Sequence, residues 1–264
     1  GVTFQTDTIV GKTITYEDLK AQGMDGIFIA TGVGVANYMG IPGEDLKGVY
    51  TASEYLAKYN LMSPEELAEA LPSLRGKRVA VIGGGNTAID AVRTAIRLDA
   101  KQATIVYRRS EEEMPARAEE IKHAREEGTE FFNLHNPVEY LGDESGHVTA
   151  MRLERMELGA PDESGRRRPV ATGEIITVPV DEVIICIGYS ASTLVTKSMP
   201  ELEVNKWGNI VVDEGKKTSM PDVYAGGDIV RGAATVILAM GDGRRAATAM
   251  HQKLSGRIEE GALV

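Results

Sequence analysis

The chain has 264 residues, of which 42% are hydrophobic and 26% are charged, and its formal net charge at pH 7 is −10. These values are typical of a globular protein with one large or two ordinary domains, each able to bury its own core. The acidic balance argues against general binding to nucleic acid or to an anionic membrane surface, and no apolar run approaches the length of a membrane span.

The first predicted strand ends at a glycine turn. Residues Ile27–Ala30 are apolar, and Thr31 and Gly32 follow them directly. Small residues at a strand end allow a ligand to approach the main chain, although an ordinary turn explains the same pattern. Two helical patterns come next, over Thr51–Tyr59 and over Pro64–Ala70.

A glycine-rich loop then connects a strand pattern to a helix pattern. Val79–Ile82 is apolar, and apolar residues recur at helical spacing from Ile89 to Ile96. The loop between them reads Gly83, Gly84, Gly85, Asn86, Thr87 and Ala88, a G-x-G-x-x-A run. Gly83 permits the tight turn, Gly85 lets a pyrophosphate approach the backbone, and Ala88 lets the helix pack closely. Because the helix N-terminus also supplies N–H donors, the unit predicts a dinucleotide site.

Two arginines close the strand that follows this helix. An NAD site normally has an acidic residue at the end of this strand. Here Arg108 and Arg109 occupy the strand end, which we call the corner of the site, and the first acid is Glu111. Guanidinium groups match a phosphate in charge and in fork geometry, so the corner favours the 2′-phosphate of NADP. The alternative is that the two arginines only form a solvated end of the strand.

The middle of the chain predicts further alternating elements. A helix is expected over Ala116–Glu127 and a third strand over Glu130–Leu134, followed by longer strands over His147–Leu158 and Glu174–Ile187. Between the longer strands, Pro161–Pro169 has the polar composition of a hairpin tip. Its three consecutive arginines could bind an anion, but we interpret them as a solvated turn.

The apolar run Val183–Gly188 repeats the pattern of Ile27–Gly32, because both are short strands that end in glycine. This repetition suggests that the chain crosses back between two domains there. The single cysteine, Cys186, lies in this run, which predicts a buried strand residue rather than a redox centre and fits a reducing cytoplasm.

The last third combines a second glycine turn with a long helix. Tyr224–Asp228 ends in two glycines and a carboxylate, which can accept hydrogen bonds from hydroxyl groups beside a helix N-terminus. The helix is predicted from about Ala233 to Leu254. We expect one face to pack inward, formed by Val236, Met240, Gly243, Ala247, Met250 and Leu254.

These motifs together resemble one family. The sequence is similar to the small (beta) subunit of NADPH-dependent glutamate synthase and to related flavoproteins with two dinucleotide-binding domains, including ferredoxin:NADP oxidoreductase subunits and part of dihydropyrimidine dehydrogenase. The resemblance covers essentially the whole chain. Its carriers are Ile29–Gly32, Gly83–Asp90, Val106–Ser110, Glu113–Ala116, Gly165–Pro169, Tyr224–Asp228 and Gly232–Val236.

The resemblance implies an α/β fold with two Rossmann-like dinucleotide-binding domains, in which an NADP(H) domain is inserted in an incomplete FAD domain. The expected boundaries give residues 1–72 and 191–264 to the FAD domain and residues 73–190 to the NADP(H) domain. The implied activity is a flavoprotein oxidoreductase that passes hydride from NADPH to FAD and onward to iron–sulfur centres.

The resemblance also implies the cofactor-binding residues. The NADP(H) site would comprise Gly83, Gly84, Gly85, Asn86, Thr87 and Ala88 at the pyrophosphate and Arg108 and Arg109 at the 2′-phosphate. The FAD site would comprise Thr31, Gly32, Gly188, Gly227, Asp228, Thr235 and Val236. No side chain needs to act as an acid or base, because alignment and electrostatics suffice for hydride transfer.

The chain departs from the family in two respects. A first FAD fingerprint near the N-terminus and a cysteine-rich iron–sulfur module are both missing from these residues. We therefore expect a fragment that binds NADP(H) and holds FAD weakly or not at all. Its expected partners are an N-terminal FAD and iron–sulfur portion and a large catalytic or ferredoxin-type subunit.

Other classes of protein fit less well. A short-chain dehydrogenase would place its Tyr-x-x-x-Lys motif after the nucleotide loop, whereas Tyr16 and Lys20 precede Gly83. A disulfide reductase would need a cysteine pair, and the scattered histidines predict no metal site. A ferredoxin:NADP oxidoreductase subunit and a non-catalytic NADP-binding module stay open as alternatives.

Overall fold

The computed structural model describes residues 1–63, 65–66, 73–161, 163 and 165–256. It divides the chain into two compact units. The outer unit consists of Gly1–Val35 and Tyr189–Val264, and the inserted unit consists of Ala36–Gly188. One unit thus lies within the other along the sequence, as the predicted fold class requires.

The helices and strands are numbered in chain order. The strands are β1 (Ile27–Ile29), β2 (Val35–Ala36), β3 (Val49–Thr51), β4 (Arg78–Ile82), β5 (Gln102–Tyr107), β6 (Glu130–Asn133), β7 (His135–Gly142), β8 (Val148–Pro161), β9 (Arg167–Pro179), β10 (Glu182–Ile185), β11 (Tyr189–Ser190) and β12 (Val223–Ala225). The helices are α1 (Tyr16–Ala21), α2 (Ala52–Leu61), α3 (Asn86–Arg97), α4 (Ala118–Glu126), α5 (Thr193–Ser198), α6 (Asp228–Arg231) and α7 (Val236–Leu254), and Glu111–Glu113 forms a 3-10 turn.

A five-stranded parallel sheet forms the centre of the inserted unit. Its strand order is β3-β10-β4-β5-β6, and helix α3 connects the neighbouring strands β4 and β5. Alternate residues of β4 face opposite sides of the sheet. Val79 and Val81 pack in a cluster with α3, whereas Ala80 and Ile82 pack in a cluster with Met151 of β8. Because both faces are covered, the central strands are almost entirely apolar.

A three-stranded antiparallel sheet, in the order β7-β8-β9, covers the face of the parallel sheet opposite α3. The predicted strand Glu174–Ile187 is wrong as one element, because it is divided between β9 and β10. Val180 and Asp181 lie between them, and Asp181 forms a bidentate ion pair with Arg78 at the start of β4. In the predicted hairpin tip, Asp162 and Ser164 lie outside the described residues.

The outer unit contains a parallel pair of strands far apart in sequence. Strand β1 pairs with β12, so that Ile27 lies opposite Val223. Strands β2 and β11 form a second two-stranded sheet. The core of this unit includes Ile29, Ile210 and Ile229, which are all nearly inaccessible to solvent.

The predicted inward face of the last helix is wrong for Val236, Met240, Ala247 and Leu254, which are exposed, whereas Met250 packs against the cluster around Tyr224. The exposed fraction is 77% for Val236, 59% for Met240 and 57% for Leu254, whereas Asp242, Ala246 and Ala249 are buried. Small side chains let α7 approach Tyr224 of β12 closely. The helix also begins at Val236 rather than at Ala233, because Thr235 is its N-cap residue.

The division into units differs from the expected boundary at residues 72 and 73. Strand β3 pairs with β10, and Tyr55 of α2 packs in the same core cluster as Val79. The inserted unit therefore begins at Ala36. Part of the predicted helix Pro64–Ala70 and the expected boundary itself fall on residues 64 and 67–72, which lie outside the described residues.

Candidate functional site

The glycine loop of the inserted unit turns tightly between β4 and α3. Gly83 has a φ of 140°, and a Cβ there would lie 2.3 Å from the carbonyl oxygen of Cys186. A Cβ at Gly84 would lie 2.8 Å from the ring of Tyr107. These two positions therefore require glycine because the surrounding protein approaches them closely.

Gly85 differs from the other two because the space beside it is open. The nearest atom to a Cβ placed there is Cγ of Pro115, at 4.0 Å. Gly85 is also the N-cap residue of the 12-residue helix α3, so no side chain caps the first N–H groups. An open cradle at an uncapped helix N-terminus has the shape and polarity that a pyrophosphate needs.

The first turn of α3 completes this cradle. Asn86 accepts a 3.0 Å hydrogen bond from the backbone N–H of Arg117 through its Oδ1 atom, which leaves its amide N–H groups for another acceptor. Thr87 lies beside it, and Ala88 is fully buried against the sheet. The structure thus brings the six loop residues together at one helix end.

The two arginines at the end of β5 have different environments. Arg108 is exposed, whereas only 8% of Arg109 is accessible. The Nε atom of Arg109 donates a 2.8 Å hydrogen bond to the carbonyl oxygen of Arg167, the first residue of β9. Of the two arginines, Arg108 is therefore the one that presents its side chain to solvent. This difference between Arg108 and Arg109 was not predicted from the sequence.

A buried carboxylate supports this corner from behind. Glu113 accepts hydrogen bonds from the Ser110 hydroxyl and from Nε of Arg167. Burial alone would raise the pKa of Glu113, but these hydrogen bonds hold it below its usual value. The main-chain carbonyl of Glu113 also accepts a 2.9 Å hydrogen bond from the Tyr107 hydroxyl. The turn after the arginines is therefore tied both to β5 and to the hairpin.

The outer unit contains a separate cavity of about 310 Å³ beside the start of α7. It is lined by Phe28, Ala30, Gly32, Gly226, Gly227, Asp228, Ala234, Thr235, Val236, Ala239 and Met240. These include five of the residues that the sequence assigned to FAD. Thr31 is exposed next to the cavity lining, and Gly188 belongs to the inserted unit, where its carbonyl accepts a hydrogen bond from Asn37.

A buried ion cluster under this cavity was not identified from the sequence. Asp242 is inaccessible to solvent and accepts hydrogen bonds from the Arg231 guanidinium, at 2.6 and 2.7 Å, and from the N–H of Gly227, at 3.1 Å. Lys216 Nζ lies 3.0 Å away. The Arg231 guanidinium, together with Lys216 and Gly227, keeps the pKa of Asp242 far below its usual value. The signal was an acid between two glycines, Gly241 and Gly243, directly after the apolar first turns of the helix.

Three further observations concern the described residues. Within them, no three or more His, Cys, Asp or Glu side chains are grouped so as to hold a metal ion. Burial raises the pKa of the Cys186 thiol, which makes it a poor nucleophile. In the same part of the chain, no helix has the length and apolarity needed to span a membrane.

Comparison with known proteins places these sites in context. Residues 2–251 match the family model described as pyridine nucleotide-disulphide oxidoreductase. The chain is 42% identical to the NADP(+)-dependent formate dehydrogenase subunit beta of Moorella thermoacetica, over 96% of this chain and 35% of that protein. It is 39% identical to the glutamate synthase [NADPH] small chain of Escherichia coli strain K12, over 94% of this chain and 54% of that protein.

Solved structures show the same fold. Mycobacterium tuberculosis FprA in complex with NADPH superposes with a TM-score of 0.77 at 21% identity, covering 95% of this chain and 68% of FprA. The thioredoxin reductase of T. acidophilum gives a TM-score of 0.66 at 24% identity, over 87% of this chain and 66% of the reductase. The chain spans between about a third and about half of the two sequence relatives named above.

Proposed function

The chain belongs to the pyridine nucleotide-disulphide oxidoreductase family, and from this we propose that it is the NADPH-oxidising part of a flavoprotein oxidoreductase of the glutamate synthase small-subunit type. In this proposal hydride passes from NADPH to FAD, and the electrons continue to iron–sulfur centres in another portion of the protein or in a partner. Similarity to a glutamate synthase small chain over 94% of this chain supports the proposal.

The single observation that carries the proposal is the open cradle at Gly85. The NADP(H) pyrophosphate would lie against the backbone of Gly83–Gly85 and accept hydrogen bonds from the first N–H groups of α3, with the Asn86 amide beside them. The exposed guanidinium of Arg108 would meet the 2′-phosphate at the adjacent strand end. Arg109 would support that corner from within the protein rather than touch the nucleotide.

The cavity of the outer unit fits part of an FAD molecule. The N–H groups at the start of the 19-residue helix α7 and the glycine main chain at Gly226 and Gly227 can face a ligand. Asp228 lines the same cavity, where its carboxylate would accept hydrogen bonds from ribityl hydroxyls. Bound FAD would supply the hydride acceptor that no side chain of this chain provides. The positive end of α7 would favour negative charge near Val236.

We propose that the final electron acceptor lies outside these residues. Relatives of comparable similarity include a formate dehydrogenase beta subunit and a glutamate synthase small chain, so the same two-unit segment occurs in chains with different names. A ferredoxin:NADP oxidoreductase type of subunit is the second candidate, and the formate dehydrogenase similarity shows that relatives of this chain are not confined to glutamate synthase. In either case we propose an iron–sulfur portion and a large or ferredoxin-type subunit as partners, in the reducing cytoplasm that one buried cysteine favours.

Isothermal titration calorimetry with NADPH and NADH tests the nucleotide assignment. We expect NADPH to bind at least about tenfold more tightly than NADH, because only NADPH carries the phosphate that Arg108 recognises. Equal affinities, or no heat with either nucleotide, would contradict the assignment.

Electron transfer is tested separately with added FAD and with the proposed N-terminal FAD and iron–sulfur portion supplied. NADPH should then reduce an artificial acceptor such as ferricyanide. A chain that binds NADPH but reduces no acceptor under either condition would instead be a non-catalytic NADP-binding module.

A further inference from the structure

The proposed 2′-phosphate corner carries an unusual amount of negative charge. Three consecutive glutamates, Glu111, Glu112 and Glu113, follow directly after the arginine pair and Ser110. Unpaired carboxylates so close to a phosphate dianion would repel it, and that repulsion would cancel much of the attraction from one exposed arginine. The corner can select a phosphate only if this negative charge is neutralised.

Arg167 contacts two of the three carboxylates. Its Nε atom donates to Glu113, and one of its terminal nitrogens lies 2.8 Å from a carboxylate oxygen of Glu112 and 3.4 Å from the Ser110 hydroxyl. The carbonyl oxygen of Arg167 accepts the hydrogen bond from Arg109 Nε. One residue of β9 therefore offsets the charge of the turn with its side chain and holds the Arg109 side chain with its main-chain carbonyl.

The remaining glutamate has a partner of its own. Glu111 forms an ion pair with Arg125 of helix α4. Arg167 is therefore the cation shared by Glu112 and Glu113. Without its side chain, these two carboxylates would have no cationic partner at the corner, where Arg108 is the exposed arginine. This arrangement also corrects the interpretation of the arginine run as a solvated turn, because its middle member is held in a network of hydrogen bonds.

We propose that Arg167 is a specificity-determining residue that allows this corner to accept the 2′-phosphate of NADP by offsetting the negative charge of Glu112 and Glu113. The inference rests on the proposed function, since it assumes that the nucleotide binds over the glycine loop. The Arg167 side chain acts through the charge of the turn rather than by touching the nucleotide, and its main-chain carbonyl, which holds Arg109, is kept in any substitution. Its effect should therefore depend on the phosphate and be absent for NADH.

The test compares Arg167→Met with Arg155→Met by calorimetric titration of the full chain at low ionic strength. Arg155 forms an exposed ion pair with Glu174 on the same hairpin, so its variant controls for loss of a hairpin ion pair. We expect Arg167→Met to weaken NADPH binding about tenfold and to change NADH binding less than twofold. Arg155→Met should change neither. An unchanged NADPH-to-NADH ratio, or equal losses for both nucleotides, would overturn the proposal.

A second variant keeps the test valid if Arg167→Met does not fold. The Glu112 side chain is 83% exposed, so Glu112→Gln cannot disturb the core. With Arg167 still present, it removes one negative charge, so that Arg167 and Glu113 balance each other, and NADPH should bind about threefold more tightly while NADH is unaffected. No change in NADPH affinity would overturn the neutralisation mechanism.

The wild-type and Arg108→Ala titrations separate this inference from the proposed function. If wild-type protein shows no preference for NADPH, the proposed function fails. If wild-type protein prefers NADPH and Arg108→Ala abolishes the preference, but Arg167→Met and Glu112→Gln leave it intact, only the role of Arg167 fails. Probing with 2′,5′-ADP and 5′-ADP should reproduce the same pattern, because the adenosine half carries the phosphate.

Discussion

The hydroxyl of Tyr107 donates a 2.9 Å hydrogen bond to the main-chain carbonyl of Glu113 and so ties the end of β5 to the turn behind the glycine loop. The ring of Tyr107 occupies the space beside Gly84. The amide of Ala116 donates to the carbonyl of Gly84 at 3.1 Å, which adds a second link. The loop, the strand end and the turn are therefore connected to one another. Because Gly84 faces the Tyr107 ring and Gly85 faces open space, substitutions at these two glycines should have different effects.

Gly85→Ala should impair nucleotide binding without unfolding the protein. The added methyl group enters open space, so the free energy of unfolding should fall by no more than about 1 kcal/mol, the cost of a poorer N-cap residue. Binding of NADPH and NADH should weaken alike, by at least about tenfold, because both share the pyrophosphate. Calorimetry and urea unfolding measure the two effects.

Gly84→Ala is the matched control for that substitution. Its methyl group would collide with the Tyr107 ring, so we expect a loss of stability of about 1–3 kcal/mol from overpacking. If Gly85→Ala destabilised the protein more than Gly84→Ala, the description of the loop would be wrong.

Arg108→Ala and Arg109→Ala should separate recognition from support. Because Arg108 is exposed, its removal should leave the stability within about 0.5 kcal/mol of wild type while weakening NADPH far more than NADH. Removal of the buried Arg109 should lower the free energy of unfolding by about 1–3 kcal/mol, since it leaves its partners unsatisfied. Titrations and denaturation curves for both variants check this, and reversed results would contradict the assignment of Arg108 to the phosphate.

Asp242→Asn should destabilise the outer unit. The substitution leaves Lys216 and Arg231 without their shared buried carboxylate, which should cost about 3 kcal/mol. Urea unfolding followed by the fluorescence of Trp207, the single tryptophan, reports on this unit. Asp25→Asn, at an exposed site in the same unit, is the control and should change little; equal effects of the two variants would refute the role of the cluster.

The ion pair between Asp181 and Arg78 should make stability depend on pH in acid. Hydrogen bonds from Arg78 lower the pKa of Asp181 to about 2. A lowered carboxylate pKa stabilises the folded state above the unfolded value, and this stabilisation is lost as the pH falls from about 4 towards 2. Asp181→Asn should therefore destabilise the protein by about 1 kcal/mol at pH 7 and by progressively less below pH 4. Urea unfolding at several pH values tests this; a constant difference would exclude the mechanism.

The purified chain should contain little or no flavin. No G-x-G-x-x-G run precedes Gly83 in the sequence, and the proposed FAD site consists of the cavity of about 310 Å³ beside α7. We expect no absorbance band near 450 nm in the protein as isolated, whereas NADPH should still bind to the inserted unit. A yellow protein with about one flavin per chain would show that the outer unit alone is sufficient.

The sequence predicted the parts of the fold that depend on local pattern. Strand β4, helix α3 and the loop between them follow from apolar periodicity and glycine spacing. The prediction of one strand overlooked a local signal for the break between β9 and β10, since Pro179, Asp181 and Glu182 interrupt the apolar run. The pairing of Asp181 with Arg78, which is distant in sequence, was not predictable from the pattern. The start of the inserted unit was also missed, since it depends on pairing between β3 and β10.

The candidate sites were predictable by residue type but not by environment. The residue types alone do not distinguish Arg108 from Arg109. In the structure, Arg109 is turned inward and donates a hydrogen bond to Arg167. The α7 periodicity suggested an apolar inward face, whereas the buried face holds small residues around Asp242. In both cases a polar contact between residues distant in sequence decided the orientation, and periodicity does not contain that information.

The order of segments along the chain also constrains synthesis on the ribosome. Strand β1 emerges early, but its partner β12 is translated only after the whole of the inserted unit. The inserted unit has all five strands of its parallel sheet in one continuous stretch, so it can complete its core during translation. Until Val223 is made, the edge of β1 lacks its native partner and is exposed to wrong pairing. Slow translation beyond Gly188 would prolong that interval.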